Sequence, residues 1–185
     1  MTDRRLRRRL AVHEAGHALA ARAVGDEVEA VEVGDGSAHL GATDRQTREG
    51  HSQYTPAERF ILVAVAGYTA ERLLYGERDS NLCDTDTNQA WEAAAGSLAI
   101  AAGNQVEVAR QQQLHREGTP VQNTRWPQRE EAAQLIARLE VECARLLAAQ
   151  RQDLETLAAH LDEHGRCDGT DIPAICAGTW RPAAV

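Results

Sequence analysis

Residues 10–20 read LAVHEAGHALA, with two histidines, His13 and His17, four apart and a glutamate, Glu14, directly after the first. On a helix that spacing brings both imidazoles to one face, one turn apart, the separation two nitrogens need to share one tetrahedral metal ion. At about 100° per residue, both histidines fall within the stripe formed by Leu6, Leu10, Ala20 and Val24, so they face inward. Two buried imidazoles without a shared partner are costly, and a metal removes that cost. Glu14 lies beside the stripe, angled away from direct ligation but within reach of a water that zinc activates by lowering its pKa to about 7. Gly16 leaves room for another segment to approach this helix. The same letters also occur by chance on ordinary helices. The inward direction of both histidines favours metal over chance.

A catalytic zinc takes three protein ligands and keeps a fourth position open, so a third ligand must come from elsewhere. Glu71 sits on an apolar helix, where a glutamate suits a common zinc-peptidase arrangement. Asp84 and Asp86 sit in a polar stretch at a helix entry, where a carboxylate is also the expected N-cap. His39 and His51 lie on or beside a hairpin and read more simply as surface residues. Spacing alone leaves the choice open.

The elements that must position these residues are mostly helical. A first helix is expected over residues 2–24, capped by Thr2 or Asp3 and ended by Gly25. Alternating valines and a Gly-Asp-Gly turn then predict a β-hairpin over 28–33 and 38–43, followed by a polar loop over 44–54. Thr55 before Pro56, with Glu58 three residues on, marks a helix start. That helix, carrying FILVAVAGYTAERLLYG, should run to about Tyr75, with Gly76 as its stop and the core around it. A loop, ERDSNLCDTDTNQ, should lead into a helix over about 86–101. Residues 103–125 read as loop or frayed helix. Pro127 opens a helix to about 164 with a bend near Gln150, and the tail CDGTDIPAICAG reads as a turn and one short helix.

Composition narrows the function classes. At 185 residues the chain reads as one domain, and with 43% hydrophobic residues it can bury a core without staples. Aromatics make up only 4%, which fits closely packed helices better than a sheet-rich fold. The net charge is −8, although residues 1–10 hold five arginines against one aspartate; the remaining acidic body argues against a duplex nucleic-acid binder. The arginine-rich head reads as a solvated first turn, with salt-sensitive nucleic-acid binding as its minor alternative. There is no lysine, so a Walker-type phosphate loop, and with it ATP binding of that kind, is excluded from this chain. No apolar run is long enough to span a membrane. Four scattered cysteines without CxxC spacing suggest reduced thiols and a cytoplasmic setting.

Three stretches in order, AVHEAGHALA, VAGYTAERLLYG and DTDTNQAWEAA, together with the ending LLAAQRQDLETLAAHLDEHGRCDGTDIPAI, resemble the peptidase domain of the FtsH family of ATP-dependent zinc metalloproteases. The resemblance covers nearly the whole chain and is least over 102–128. It implies a mainly α fold with a small β-hairpin or sheet and an HExxH active-site helix. It further implies zinc held by His13, His17 and Asp86, with Glu14 as general base, Glu71 supporting the active-site helix, and Asp84 as the alternative ligand. Gly41, Ala42 and Thr43 fall on the family's substrate-side edge strand, where they would pair with an extended peptide, although Ala42 stands where the family has an aromatic residue. The family's ATPase module and transmembrane helices have no counterpart in these residues. The expectation is therefore a stand-alone, ATP-independent zinc endopeptidase for peptides or unfolded protein segments, without a nucleic-acid partner. The family's peptidase domains form rings, so a homo-oligomer is one open assembly. The alternative from another class is a non-catalytic zinc-binding adaptor, and a segment 103–125 packed across the metal would favour it.

Overall fold

A computed structural model describes residues 4–34, 41–47, 52–104 and 128–176, together with 106, 109, 110, 113 and 117. Helix α1 (Arg4–Ala23) is the element on which the others are assembled. From Leu10 to Ala21 every residue is buried, so the second half of this helix has no solvent face. Its end follows from Gly25, whose φ of 89° permits a left-handed turn. The Asp26 amide then bonds Ala21 O and the Gly25 amide bonds Arg22 O, closing the last carbonyls of the helix. The expected caps, Thr2 and Asp3, lie outside the described residues.

A three-stranded antiparallel sheet follows, ordered β2-β1-β3, with β1 (Glu27–Val33) between β2 (Gly41–Gln46) and β3 (Arg166–Asp168). Strand β2 pairs on one side only and forms an edge of the sheet. It continues through Gln46, three residues beyond the hairpin expected from the sequence. Those residues are polar because an edge strand with one wet face does not need apolar alternation. The start of the expected second strand, 38–40, lies outside the described residues. Strand β3 had no signal of its own: its three residues include one inward side chain, Cys167, and it is held by pairing with β1.

The capping box at Thr55 and Glu58 forms as its spelling predicts, with Glu58 N–H on Thr55 Oγ1 at 3.3 Å and Thr55 N–H on Glu58 Oε2 at 2.9 Å. The expected single helix to Tyr75 is divided at Val65 into α2 (Pro56–Ala64) and α3 (Ala66–Tyr75), and Gly76 ends the second with φ 78°. Helix α4 (Ser80–Ala101) begins about six residues before the expected start. Its first turns are polar, which reads as loop in the sequence, but the Asp79 carbonyl accepts from the Leu82 amide and from Cys83 Sγ and so starts the helix earlier. Helices α5 (Arg129–Ala149) and α6 (Arg151–His164) meet at Gln150, where the bend was expected, and α7 (Ile172–Ile175) is the short helix of the tail. Pro127 and most of 103–125 lie outside the described residues.

Helix α1 packs against α3, α6 and β1, while α2 and α5 flank α4. The arginine-rich head is not simply a solvated turn: Arg7 Nε donates to Asp162 O at 2.9 Å, and Arg9 is drawn inward. No described helix is long and apolar enough to cross a membrane.

Asp26 locks the edge strand to the helices. Its side chain has no exposed surface and accepts from Arg45 of β2 and from Arg59 of α2. Arg45 also lies over the Phe60 ring, 5.4 Å from its centroid. Asp26→Ala removes the anion shared by two guanidinium groups and is expected to destabilise the fold by about 3 to 5 kcal/mol in urea unfolding. It should also speed amide exchange along Gly41–Gln46. Stability unchanged within about 0.5 kcal/mol would show that Asp26 is not the lock.

Candidate metal centre

The three residues whose ligand atoms the fold gathers are His13 and His17 from α1 and Asp86 from α4, all within 4.8 Å of one another. Both histidines are buried. Their rings stand edge to face with centroids 4.8 Å apart, as a one-turn spacing on a helix dictates. Asp86 lies in the second turn of α4, not in a loop. Asp84, two residues earlier on the same helix, is displaced by more than half a turn, is exposed, and does not join the cluster. His39 and His51 lie outside the described residues.

Each imidazole is oriented through its Nδ1. His13 Nδ1 is 2.8 Å from Glu71 Oε1, and His17 Nδ1 is 2.7 Å from the Val63 carbonyl. A carboxylate and a carbonyl only accept, so Nδ1–H is the donor in both rings and Nε2 is the atom each turns toward Asp86. Asp86 Oδ2 lies 2.9 Å from His13 Nε2 and 3.3 Å from His17 Nε2. It is nevertheless buried and accepts a well-formed hydrogen bond from neither. A buried carboxylate oxygen without a hydrogen-bond partner, beside two imidazole nitrogens, is the donor set of a catalytic zinc site, so the residues present fit that ion.

The electrostatics point the same way. Burial disfavours a charged His13 imidazole, but the Asp86 and Glu71 carboxylates outweigh it and lift its pKa to about 10. Burial would raise the Asp86 carboxyl, but the two imidazoles prevail and hold it well below the ordinary carboxylate range. The His13 and Asp86 shifts record one mutual attraction, which favours positive charge on the imidazole and negative charge on the carboxylate facing it.

Glu71 sits behind His13 rather than at the centre. Its side chain has no exposed surface, and it accepts from His13, from Arg9 Nε at 2.6 Å and from the Asp79 amide at 2.9 Å. Burial alone would raise its pKa, but these donors hold it below the usual value. The helix break at Val65 has a role here too. The Val63 carbonyl lies at that break and takes the His17 ring nitrogen, an insertion into the ladder that divides a helix.

Two glycines set the distance between α1 and α3. A Cβ on Gly16 would stand 2.7 Å from Ala66 O and from Ala70 Cβ, and one on Gly67 would stand 2.4 Å from His13 Nε2. The expected room beside Gly16 is thus taken by α3.

A cleft of about 310 Å³ opens beside the cluster, with Gly41, Ala42 and Thr43 of β2 on one wall and Phe60 and Val63 of α2 on the other. Glu14 lines it. Thr43 Oγ1 donates to Glu14 Oε2 at 3.0 Å, and Gly41 passes so close that a Cβ there would lie 2.5 Å from Glu14 Oε1. The three β2 residues thus border Glu14 and the open side of the cluster.

Sequence reasoning missed Arg9, the Val63 carbonyl and Gly67. Arg9 had a usable signal, because it stands one turn before His13 on the same stripe. The carbonyl carried no residue-type signal, and Gly67 none beyond being a glycine in a helix.

A mainly helical fold with a small antiparallel sheet thus presents a His-His-Asp cluster and a neighbouring glutamate at an edge-strand cleft. No family model matches the sequence. The chain is similar to the ATP-dependent zinc metalloprotease FtsH of Pelobacter propionicus (strain DSM 2379 / NBRC 103807 / OttBd1), at 28% identity over 181 residues. The match covers 89% of this chain and 29% of that protein, so the chain spans under a third of its relative's length.

Gly67→Ala places a methyl group against the His13 ring and is expected to cost about 1 to 3 kcal/mol in urea unfolding, with the denaturant slope unchanged. The His13 ring resonances should shift more than those of His160. Wild-type stability with unmoved His13 signals would mean that α1 and α3 are not in close contact there.

Proposed function

We propose that this chain is a zinc metallopeptidase domain that hydrolyses peptide bonds in peptides or unfolded protein segments. The observation that carries the reading is the buried Asp86 Oδ2, which faces two oriented imidazoles at 2.9 and 3.3 Å without a well-formed hydrogen bond to either. The similarity to a zinc metalloprotease over most of the chain supports it.

In this reading His13, His17 and Asp86 hold the ion. When bound, zinc supplies Lewis acidity, polarising the scissile carbonyl and lowering the pKa of a water to about 7. Glu14 takes the proton of the attacking water and delivers it to the leaving amine, which a carboxylate at the wall of the cleft can do without moving far. Thr43 holds one oxygen of Glu14 and so aims the other. The open edge of β2 receives the substrate backbone, with Gly41, Ala42 and Thr43 pairing with it as one more strand. An extended segment is required for that pairing, and this selects peptides and unfolded chains over folded ones. With no lysine, this chain has no Walker-type loop to drive unfolding.

Purified protein is expected to carry about one zinc per chain and to cleave unfolded casein. Glu14→Gln should retain the zinc and lose about 100-fold to 10,000-fold of the rate, while Asp86→Ala should lose both metal and activity. Retained zinc with equal turnover in wild type and Glu14→Gln would reject the peptidase and leave the zinc-binding adaptor.

A further inference from the structure

Arg9 is conspicuous because an arginine so near the start of a helix would ordinarily project into water. Here only 12% of its side chain is exposed, and among the described residues its hydrogen-bond partners belong to α3 or to the turn after it. Its Nε reaches Glu71 Oε2 at 2.6 Å, its Nη2 donates to the Glu77 carbonyl at 3.1 Å, and its guanidinium lies 5.5 Å from the centre of the Tyr75 ring. The two oxygens of Glu71 divide their work. Oε1 takes the His13 ring, while Oε2 takes Arg9 and the Asp79 amide. Asp79 immediately precedes α4, and its carbonyl accepts from the Leu82 amide and from Cys83 Sγ, so it anchors the first turn of the helix that carries Asp86.

We propose that Arg9 is a positioning residue of the metal centre: by clamping Glu71 it sets the His13 ring from one side and the entry of α4, hence Asp86, from the other. The chemistry suits arginine and not lysine. A planar guanidinium can bind a carboxylate and a neighbouring carbonyl together while stacking on an aromatic ring, whereas an ammonium offers one point of charge. Without it, Glu71 keeps one ring nitrogen and one amide as partners in a fully enclosed position, and its carboxylate is free to rotate away from His13. Groups that orient a metal-ligating histidine in this way are worth about 10-fold to 100-fold in metal affinity.

The zinc arm of the test rests on the peptidase reading above; the ring arm does not. Zinc affinity of the metal-free protein would be measured by chelator competition for wild type, Arg9→Gln, Arg9→Lys and Arg151→Gln, the last removing an exposed arginine whose partner is Glu155. The His13 ring nitrogens of the same metal-free proteins would be followed by ¹⁵N NMR, and helix content by circular dichroism. Arg9→Gln should bind zinc about 10-fold to 100-fold more weakly and lose the Nδ1–H signature of His13. Arg9→Lys should recover part of both, and Arg151→Gln should match wild type. A folded Arg9→Gln with wild-type affinity and unchanged His13 signals would overturn the assignment. If the wild type binds no zinc, the metal reading fails on its own, and the His13 signals alone decide the role of Arg9. If Arg9→Gln does not fold, Arg9→Lys is judged by the same measurements, and wild-type affinity and ring signals there would overturn it.

Discussion

A carboxylate with no exposed surface is the constraint around which this molecule is arranged. Glu71 carries its charge into the interior, where an unpaired anion is far more costly than any single hydrogen bond can offset, so both oxygens must be supplied with donors. The donors come from the first helix and from the turn after α3: Arg9 and His13 from α1, and the Asp79 amide at the entry of α4. Satisfying one carboxylate therefore fixes the register of α1 against α3 and the start of α4 together. The direction of His13 Nε2 and the approach of Asp86 follow from the same arrangement.

That register also needs the helices to come close, and small residues allow it. Gly16 and Gly67 face each other's helix without a Cβ, and both helices carry buried alanines. Close approach brings the His13 ring directly over Gly67. It also brings His17 to the point where the α2–α3 run gives way at Val65, so that the Val63 carbonyl becomes the acceptor for its ring. An interruption in a helix ladder weakens the helix locally. Here the carbonyl at the break is put to use in orienting an imidazole, which two buried histidines require in any case.

The edge strand is held by a second buried charge. Asp26 ties Arg45 of β2 to Arg59 of α2, and Arg45 continues onto Phe60 at the mouth of the cleft. The strand that borders Glu14 is thereby fixed to the helical body at both walls of the cleft. An unpaired strand edge is ordinarily guarded, because it pairs with whatever extended chain it meets. Under the proposed function, the same property would let the strand beside the His-His-Asp cluster hold substrate.

Much of this was legible in the residues. The four-residue step from His13 to His17 places both rings on one face whatever the rest of the chain does, because helical periodicity is local. The capping box at Thr55, the stops at Gly25 and Gly76 and the bend at Gln150 are likewise decided within a few residues. What lay beyond local reasoning was any choice that depends on distance through space. Asp84 and Asp86 are nearly equivalent as letters, and only the longer α4, turned toward α1, exposes one and brings the other to the histidines. Glu71 fits a ligand's description, yet packing sets it behind His13, because Arg9 and the Asp79 amide claim the oxygen that a metal would need. Strand β3 exists only because β1 offers it a ladder. The sequence by itself determined the two histidines, the glutamate beside them and the helix that carries them. The tertiary structure alone decided which carboxylate faces them and which stands behind, since burial and partner geometry are properties of the assembled chain.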